Sequence, residues 1–216
     1  QPDPEDKLRM DALDTGKYAH EAEMAGFVLK SHYYPTAALA DVLNRIYPGL
    51  GVYGAIVLNR EVGGLNPYAV NTAAETGARV VFMPTLSADF WRNKYGLGQG
   101  LKLLGKGGQL VTPIREILAT IASHDMVLAT GNISPKECIS LLTTAKELGL
   151  TRLVVTNPVG IATPDQIYQM ISLGAYVEVS FLSCTSSRNQ SSPTNMVDTI
   201  KTLGSAQCII TTAFGH

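Results

Sequence analysis

An excess of charge of either sign is what this sequence most plainly lacks. Seventeen basic side chains face eighteen acidic ones, for a formal charge of −1. That balance leaves no electrostatic footprint for nucleic acid or an anionic membrane surface. Cysteine is scarce too, and Cys138, Cys184 and Cys208 have neither metal-type spacing nor the even count of a closed disulfide framework. A reducing compartment is the default expectation. No run approaches the roughly 18 consecutive apolar residues of a membrane span, and Gln1-Pro2-Asp3-Pro4-Glu5-Asp6 has no signal-peptide pattern. The expectation is therefore a soluble, cytoplasmic protein, with an N-terminus lost before Gln1 because the chain opens without Met. No repeat of fixed period is present, and no Gly-x-Gly-x-x-Gly fingerprint directly follows the first expected strand.

What is present is a core. Of 216 residues, 45% are hydrophobic and only 16% charged, enough to bury one sizeable core in a single domain spanning 1–216. A small-molecule substrate is the expected partner, with no nucleic acid and no membrane. A homo-oligomer is compatible with the composition.

Seven short apolar, β-branched runs recur between amphipathic stretches, the pattern of βα units around a parallel sheet. They are Phe27–Leu29, Val52–Leu58, Arg79–Met83, Met126–Ala129, Leu153–Val155, Tyr176–Phe181 and Cys208–Ile210. Most are nearly continuous in apolar residues, as strands buried on both faces should be. Ser134-Pro135-Lys136-Glu137 and Thr163-Pro164-Asp165-Gln166 each combine a hydroxyl N-cap, a first-turn Pro and an acid or amide at the third helical position. Gly149, Gly174 and Gly204 stop helices before the next strand. Asn66-Pro67 and Pro35-Thr36 open two more, and Ala12–Met24 reads as a helix ending at Gly26.

The register is thus a helix, then six βα units, then a strand. This is an α/β (β/α)₈ TIM-like barrel without its first strand, which would lie before Gln1, and its last helix, which would follow His216. The rival is an open doubly wound sheet. Polar residues ending almost every strand, instead of gathering at one switch point, favour the barrel. Gly96–Gly108 has six glycines in thirteen residues and is expected as a hairpin excursion over the barrel mouth, closed by Gly107-Gly108. Thr185–Pro193 is expected as another loop there.

Barrel geometry directs the side chains that end the strands into one pocket, so Lys30, His32, Asn59, Thr85, Asn132, Asn157, Glu178 and Thr212 are the candidates. Lys30 and His32 alternate along one strand end and should face the same side, a cation beside an imidazole suited to acid/base work or anion binding. Glu178 interrupts an apolar strand, where an unpaired carboxylate would be costly, so a partner is expected: Lys30, a substrate cation or a metal. The blander alternative for Lys30 is a structural ion pair with Glu178, and for His32 a loop hydrogen bond. His20 and His124 lie on helices, away from the mouth. His216 sits three positions past Ala213 at the chain end.

These strand ends resemble a bacterial and fungal branch of the amidohydrolase superfamily of metal-dependent hydrolases, along essentially the whole chain. The segments that carry the resemblance are 28–36 (Val28 to Thr36, with Lys30-Ser31-His32), Ile56–Asn59 with Val62–Pro67, Met83-Pro84-Thr85, Leu128–Pro135 and Val154–Pro158. The resemblance implies a divalent, zinc-type metal held by a His-x-His on the first barrel strand, a His ending the fifth, a His ending the sixth and an Asp ending the eighth. Here the first strand is missing, and Asn132, Asn157 and Ala213 stand at the other positions. Carboxamide oxygen is a weak metal donor and Ala offers none, so no binuclear centre, and no cofactor, is expected in this chain. The Asp that serves as general base is lost with it. The expectation is a hydrolase-like small-molecule enzyme with Lys30, His32 and Glu178 as catalytic groups and Asn59, Thr85, Asn132, Asn157 and Thr212 binding substrate. The alternatives are a metal-independent lyase or isomerase, a non-catalytic binding relative, or a truncated or altered sequence.

Overall fold

A computed structural model describes residues 10–184 and 192–212. Seven strands form one parallel sheet in sequence order: β1 (Gly26–Leu29), β2 (Gly51–Val57), β3 (Ala78–Phe82), β4 (Val127–Ala129), β5 (Leu153–Val155), β6 (Ala175–Ser180) and β7 (Cys208–Thr211). Each expected strand is present, with ends that differ by at most one residue, and no described neighbour is antiparallel.

Strand alternation sorts the side chains into two populations, and the two decide the architecture. Ile56, Val81, Leu128, Leu153 and Ala175 pack against the helices α3 (Pro67–Glu75), α5 (Thr112–Ser123), α6 (Pro135–Glu147) and α7 (Pro164–Ser172). The alternate residues Ala55, Val80 and Ala129, with Phe82, Val127 and Val154, pack only on one another. Helices on one face and a strand-only cluster on the other are what a barrel wall requires; a doubly wound sheet would carry helices on both. The fold is a TIM-like barrel short of closure, with β1 and β7 as its edges. Near these edges the inner face is open: Val28, Tyr53, Tyr176 and Ile209 are exposed.

The helix caps follow the sequence signals. Ser134 and Thr163 each accept from the backbone three residues on, and Glu137 and Gln166 reach back to complete the boxes. Asn66 caps α3 with Pro67 in its first turn. Two expectations are corrected. The first helix, α1 (Ala12–Glu21), stops before Met24 because the chain turns at Ala22 and Glu23 enters the left-handed region at φ 53°. Thr36 precedes α2 (Ala37–Ile46) but does not cap it with its side chain. Its hydroxyl instead donates to Leu29 O at 2.5 Å and accepts from Ala55 N at 2.8 Å, tying the end of β1 to β2.

The glycine-rich excursion is present, and a short helix that the sequence reading omitted, α4 (Asp89–Lys94), precedes it. Bridges Ala88↔Leu101 and Leu104↔Leu110 shape it, with Gly108 at φ 79° in its tip. It is pinned from below. Leu103 is fully buried, and its N–H donates to the buried Glu137 carboxylate at 2.8 Å, the same side chain that boxes α6. Of the expected Ser-rich loop, 185–191 lies outside the described residues. The remaining helix, α8 (Pro193–Leu203), leads to β7.

Candidate active site

The polar centre of the mouth is Asn59, immediately after β2. Its carboxamide is wholly buried. Nδ2 donates to His32 O at 3.1 Å and to Thr85 Oγ1 at 2.9 Å, while Oδ1 accepts from Thr85 N at 2.8 Å and Ser87 N at 3.2 Å. An amide offers two donors and two acceptor positions, and all four are filled from within the protein. The expectation that Asn59 binds substrate is therefore corrected: it has nothing left to offer a ligand, and it fixes the strand ends that carry His32 and Thr85.

Thr85, itself buried, passes the constraint on. Its Oγ1 lies 2.8 Å from His32 Nδ1, so the imidazole of β1's end is bound to the end of β3 through a hydroxyl that Asn59 holds. Ser87 extends the network, with its Oγ accepting from Arg60 N at 3.1 Å and donating to Glu61 Oε2 at 3.4 Å. Sequence reading missed Ser87. The spacing Thr85-x-Ser87 after a strand was the available signal.

Lys30 points to the inner face, as alternation required. Its Nζ stands 4.6 Å from the centroid of the Phe82 ring. Lys30 and His32 therefore both reach from the end of β1 toward that of β3. The structural ion pair with Glu178 is not formed. No ion pair or hydrogen bond of the Lys30 amine is found among the described residues. Glu178, across the sheet on β6, accepts from Thr211 Oγ1 at 2.8 Å, so the partner it required is a β7 hydroxyl. Burial holds the Lys30 ammonium below the ordinary lysine range, and the field of the Glu178 carboxylate offsets part of that shift.

The two asparagines that the resemblance sets at ligand positions differ. Asn132 is half-buried after β4, its N–H bonded to Pro84 O at 2.9 Å. It lines a small crevice with Trp91, Thr156, Pro158 and Met170. The approach of this loop to β3 depends on Gly131: at φ 63°, an added Cβ would lie 2.3 Å from Met83 O. Asn157 is exposed after β5 in the left-handed region, and its Oδ1 accepts from Ser180 N at 2.9 Å. That bond braces β6 and removes the atom most suited to a ligand. Thr212 follows β7 and is exposed. Ala213 and His216 lie outside the described residues. His20 stacks near Tyr47 and His124 caps α5, both away from the mouth.

The metal that the superfamily resemblance implies can be tested against these donors. Among the described residues no three His, Cys, Asp or Glu side chains come together, and Asn157 Oδ1 is already bonded to backbone. The described residues do not fit the group, and no chemical step below passes through it.

Comparison with solved structures identifies the fold. An organophosphorus hydrolase from Deinococcus radiodurans aligns with 92% of this chain and 64% of its own, at TM-score 0.60 and 9% identity. A mutant of a PTE-like lactonase from the same organism aligns at TM-score 0.56 and 10% identity. It covers 92% of this chain and 66% of its own. A third match comes from the engineering of organophosphate hydrolysis on a weak promiscuous lactonase template, at TM-score 0.58 and 8% identity. It covers 94% and 70% of the two chains. This chain thus spans 64% of the length of the first of these structures, and at such identities the likeness is one of fold. No curated protein matches it in sequence. A family model does match, over residues 1–178, through the sheet from β1 to the Glu178 position on β6, and the chain belongs to that family of unknown function, DUF6282.

Proposed function

We propose that this chain is a hydrolase of the amidohydrolase-superfamily kind, acting on a small molecule at the C-terminal ends of its strands, with ester, lactone or phosphotriester as the substrate class. The reading rests on one observation: a histidine at the mouth, hydrogen-bonded at 2.8 Å to a buried threonine that a saturated asparagine holds in place. Such a chain orients an imidazole for proton transfer. The productive tautomer is the one whose Nδ1–H donates to Thr85 Oγ1, which also accepts from Asn59. Nε2 is then the basic nitrogen that withdraws a proton from water as it attacks. Lys30, on the same side, offers a positive charge to the oxyanion that develops, and a charge in an apolar setting acts more strongly than in water. The field of Glu178, from across the sheet, offsets part of the loss of charge that burial causes. Asn132 and Thr212 are left to contact substrate. The fold likeness to a lactonase and an organophosphorus hydrolase supports the substrate class.

The test is turnover of a panel of lactones, aryl esters and phosphotriesters by the full chain, followed by His32→Gln and Thr85→Val. Each variant should lower kcat/KM at least about tenfold, with the His32→Gln urea midpoint unchanged. Absence of turnover across all three classes refutes the proposal.

A further inference from the structure

We propose a second activity for the inner face: Lys30 captures small apolar aldehydes and ketones as an imine. The Lys30 amine is held against an aromatic ring and, among the described residues, by no counterion. Lys30 projects from the end of β1 onto the Phe82 ring, within a wall built from Ala55, Val80, Phe82 and Val154, and it makes neither an ion pair nor a hydrogen bond among the described residues. A lysine that serves only to counter Glu178 would contact it. Instead Glu178 is held by Thr211, near enough to act on the amine by its field and not by contact. The way in exists as well. Lys30 is half-buried, and the same face is exposed at Val28, Tyr53, Tyr176 and Ile209. Together these describe a desolvated amine on an apolar inner face that is exposed toward its edges, the setting in which lysine attacks carbonyl carbon.

The chemistry closes without a further reagent. The amine lone pair adds to the carbonyl carbon and the oxygen takes a proton, giving a carbinolamine. Loss of that hydroxyl as water, with a proton from His32, forms the C=N bond. From Lys30 ammonium and carbonyl compound, the net products are an iminium and one water, with no change in proton count or oxidation state. Burial that lowers the amine's affinity for protons leaves more of it unprotonated at neutral pH, which favours the first step. The ligand class is apolar because the wall of Ala55, Val80, Phe82 and Val154 is.

The activity rests on the placement of Lys30 and can be read without any ester or lactone turnover, so it stands or falls separately from the hydrolase reading. The experiment uses the unaltered chain at pH 7 with butanal, and in parallel butan-2-one, each with sodium cyanoborohydride to reduce the iminium to a stable secondary amine. Peptide mass analysis then gives the labelling rate at each lysine. Lys30 should label at least about tenfold faster than the exposed Lys106, Lys136 and Lys146, because a desolvated amine is the better nucleophile at neutral pH. That preference should vanish in denaturing urea, since it comes from the fold. Labelling of Lys30 at or below the rate of the exposed lysines overturns the proposal, and so does a preference that survives unfolding.

Discussion

Replacing Asn59 with Leu is the sharpest test of how the mouth is held together. The side chains are close in volume, so the change deletes hydrogen bonds with little change in packing. It leaves three backbone groups, Thr85 N, Ser87 N and His32 O, without the partner they have now, at a position with no exposed surface. A buried polar group deprived of its partner costs about 1–3 kcal/mol. Taking the lower bound for each group, the loss is about 3 kcal/mol, a large share of the ~5–15 kcal/mol that stabilises a typical domain. Urea unfolding followed by tryptophan fluorescence, with Trp91 as the sole reporter, should show a lower midpoint at unchanged slope. Asn59→Asp is the control. It retains an acceptor for both N–H groups, and a protonated carboxyl can still donate, so it should be the milder variant at acid pH. A loss below about 1 kcal/mol for Asn59→Leu, or equal losses for the two variants at acid pH, would refute the reasoning.

Three further outcomes follow from described geometry. Gly131→Ala forces a Cβ to within 2.3 Å of Met83 O in a left-handed backbone, and should lower stability by about 2 kcal/mol or more in urea titration. Burial raises the Cys138 thiol from 9.0 to about 12, so it should resist thiol reagents at pH 8 while Cys184 and Cys208 react. Because the folded value lies above the unfolded one, the stability this provides is complete below pH 9 and is lost as pH rises from there toward 12, a loss that Cys138→Ala should remove. Lys30→Met removes a buried charge that has no ion-pair partner among the described residues, so the melting temperature should hold or rise at pH 7; a fall of more than about 5 °C would restore the structural-pair reading.

The architecture was legible because each βα unit announces itself locally. Apolar runs such as Leu153–Val155 and boxes such as Thr163–Gln166 need no distant information, and strand alternation correctly put Lys30 and His32 toward one side. Roles within the site were less legible. Nothing near Asn59 in the chain says that its carboxamide meets the backbone of 85 and 87; that depends on how the β3 loop folds back across the end of β2. The same holds for Asn157, whose partner is the Ser180 N–H at the end of β6. The helix α4 escaped because it carries no side-chain cap and only six residues.

The sequential strand order also bears on how this chain finds its fold. Gly26 meets Gly51, 25 residues on, whereas Val80 meets Val127, 47 residues on, because α4, the glycine-rich excursion and α5 all lie between β3 and β4. Closing a loop nearly twice as long costs only about 0.6 kcal/mol more in chain entropy, since the penalty grows with the logarithm of length. A single buried bond to a carboxylate, of the kind that Leu103 makes to Glu137, contributes about 1.5–3 kcal/mol and more than offsets it. The wall can therefore carry long insertions between consecutive strands at little cost to assembly, and the β3–β4 joint is where an evolving chain can lengthen or exchange the rim of its pocket while the staves beneath keep their neighbours.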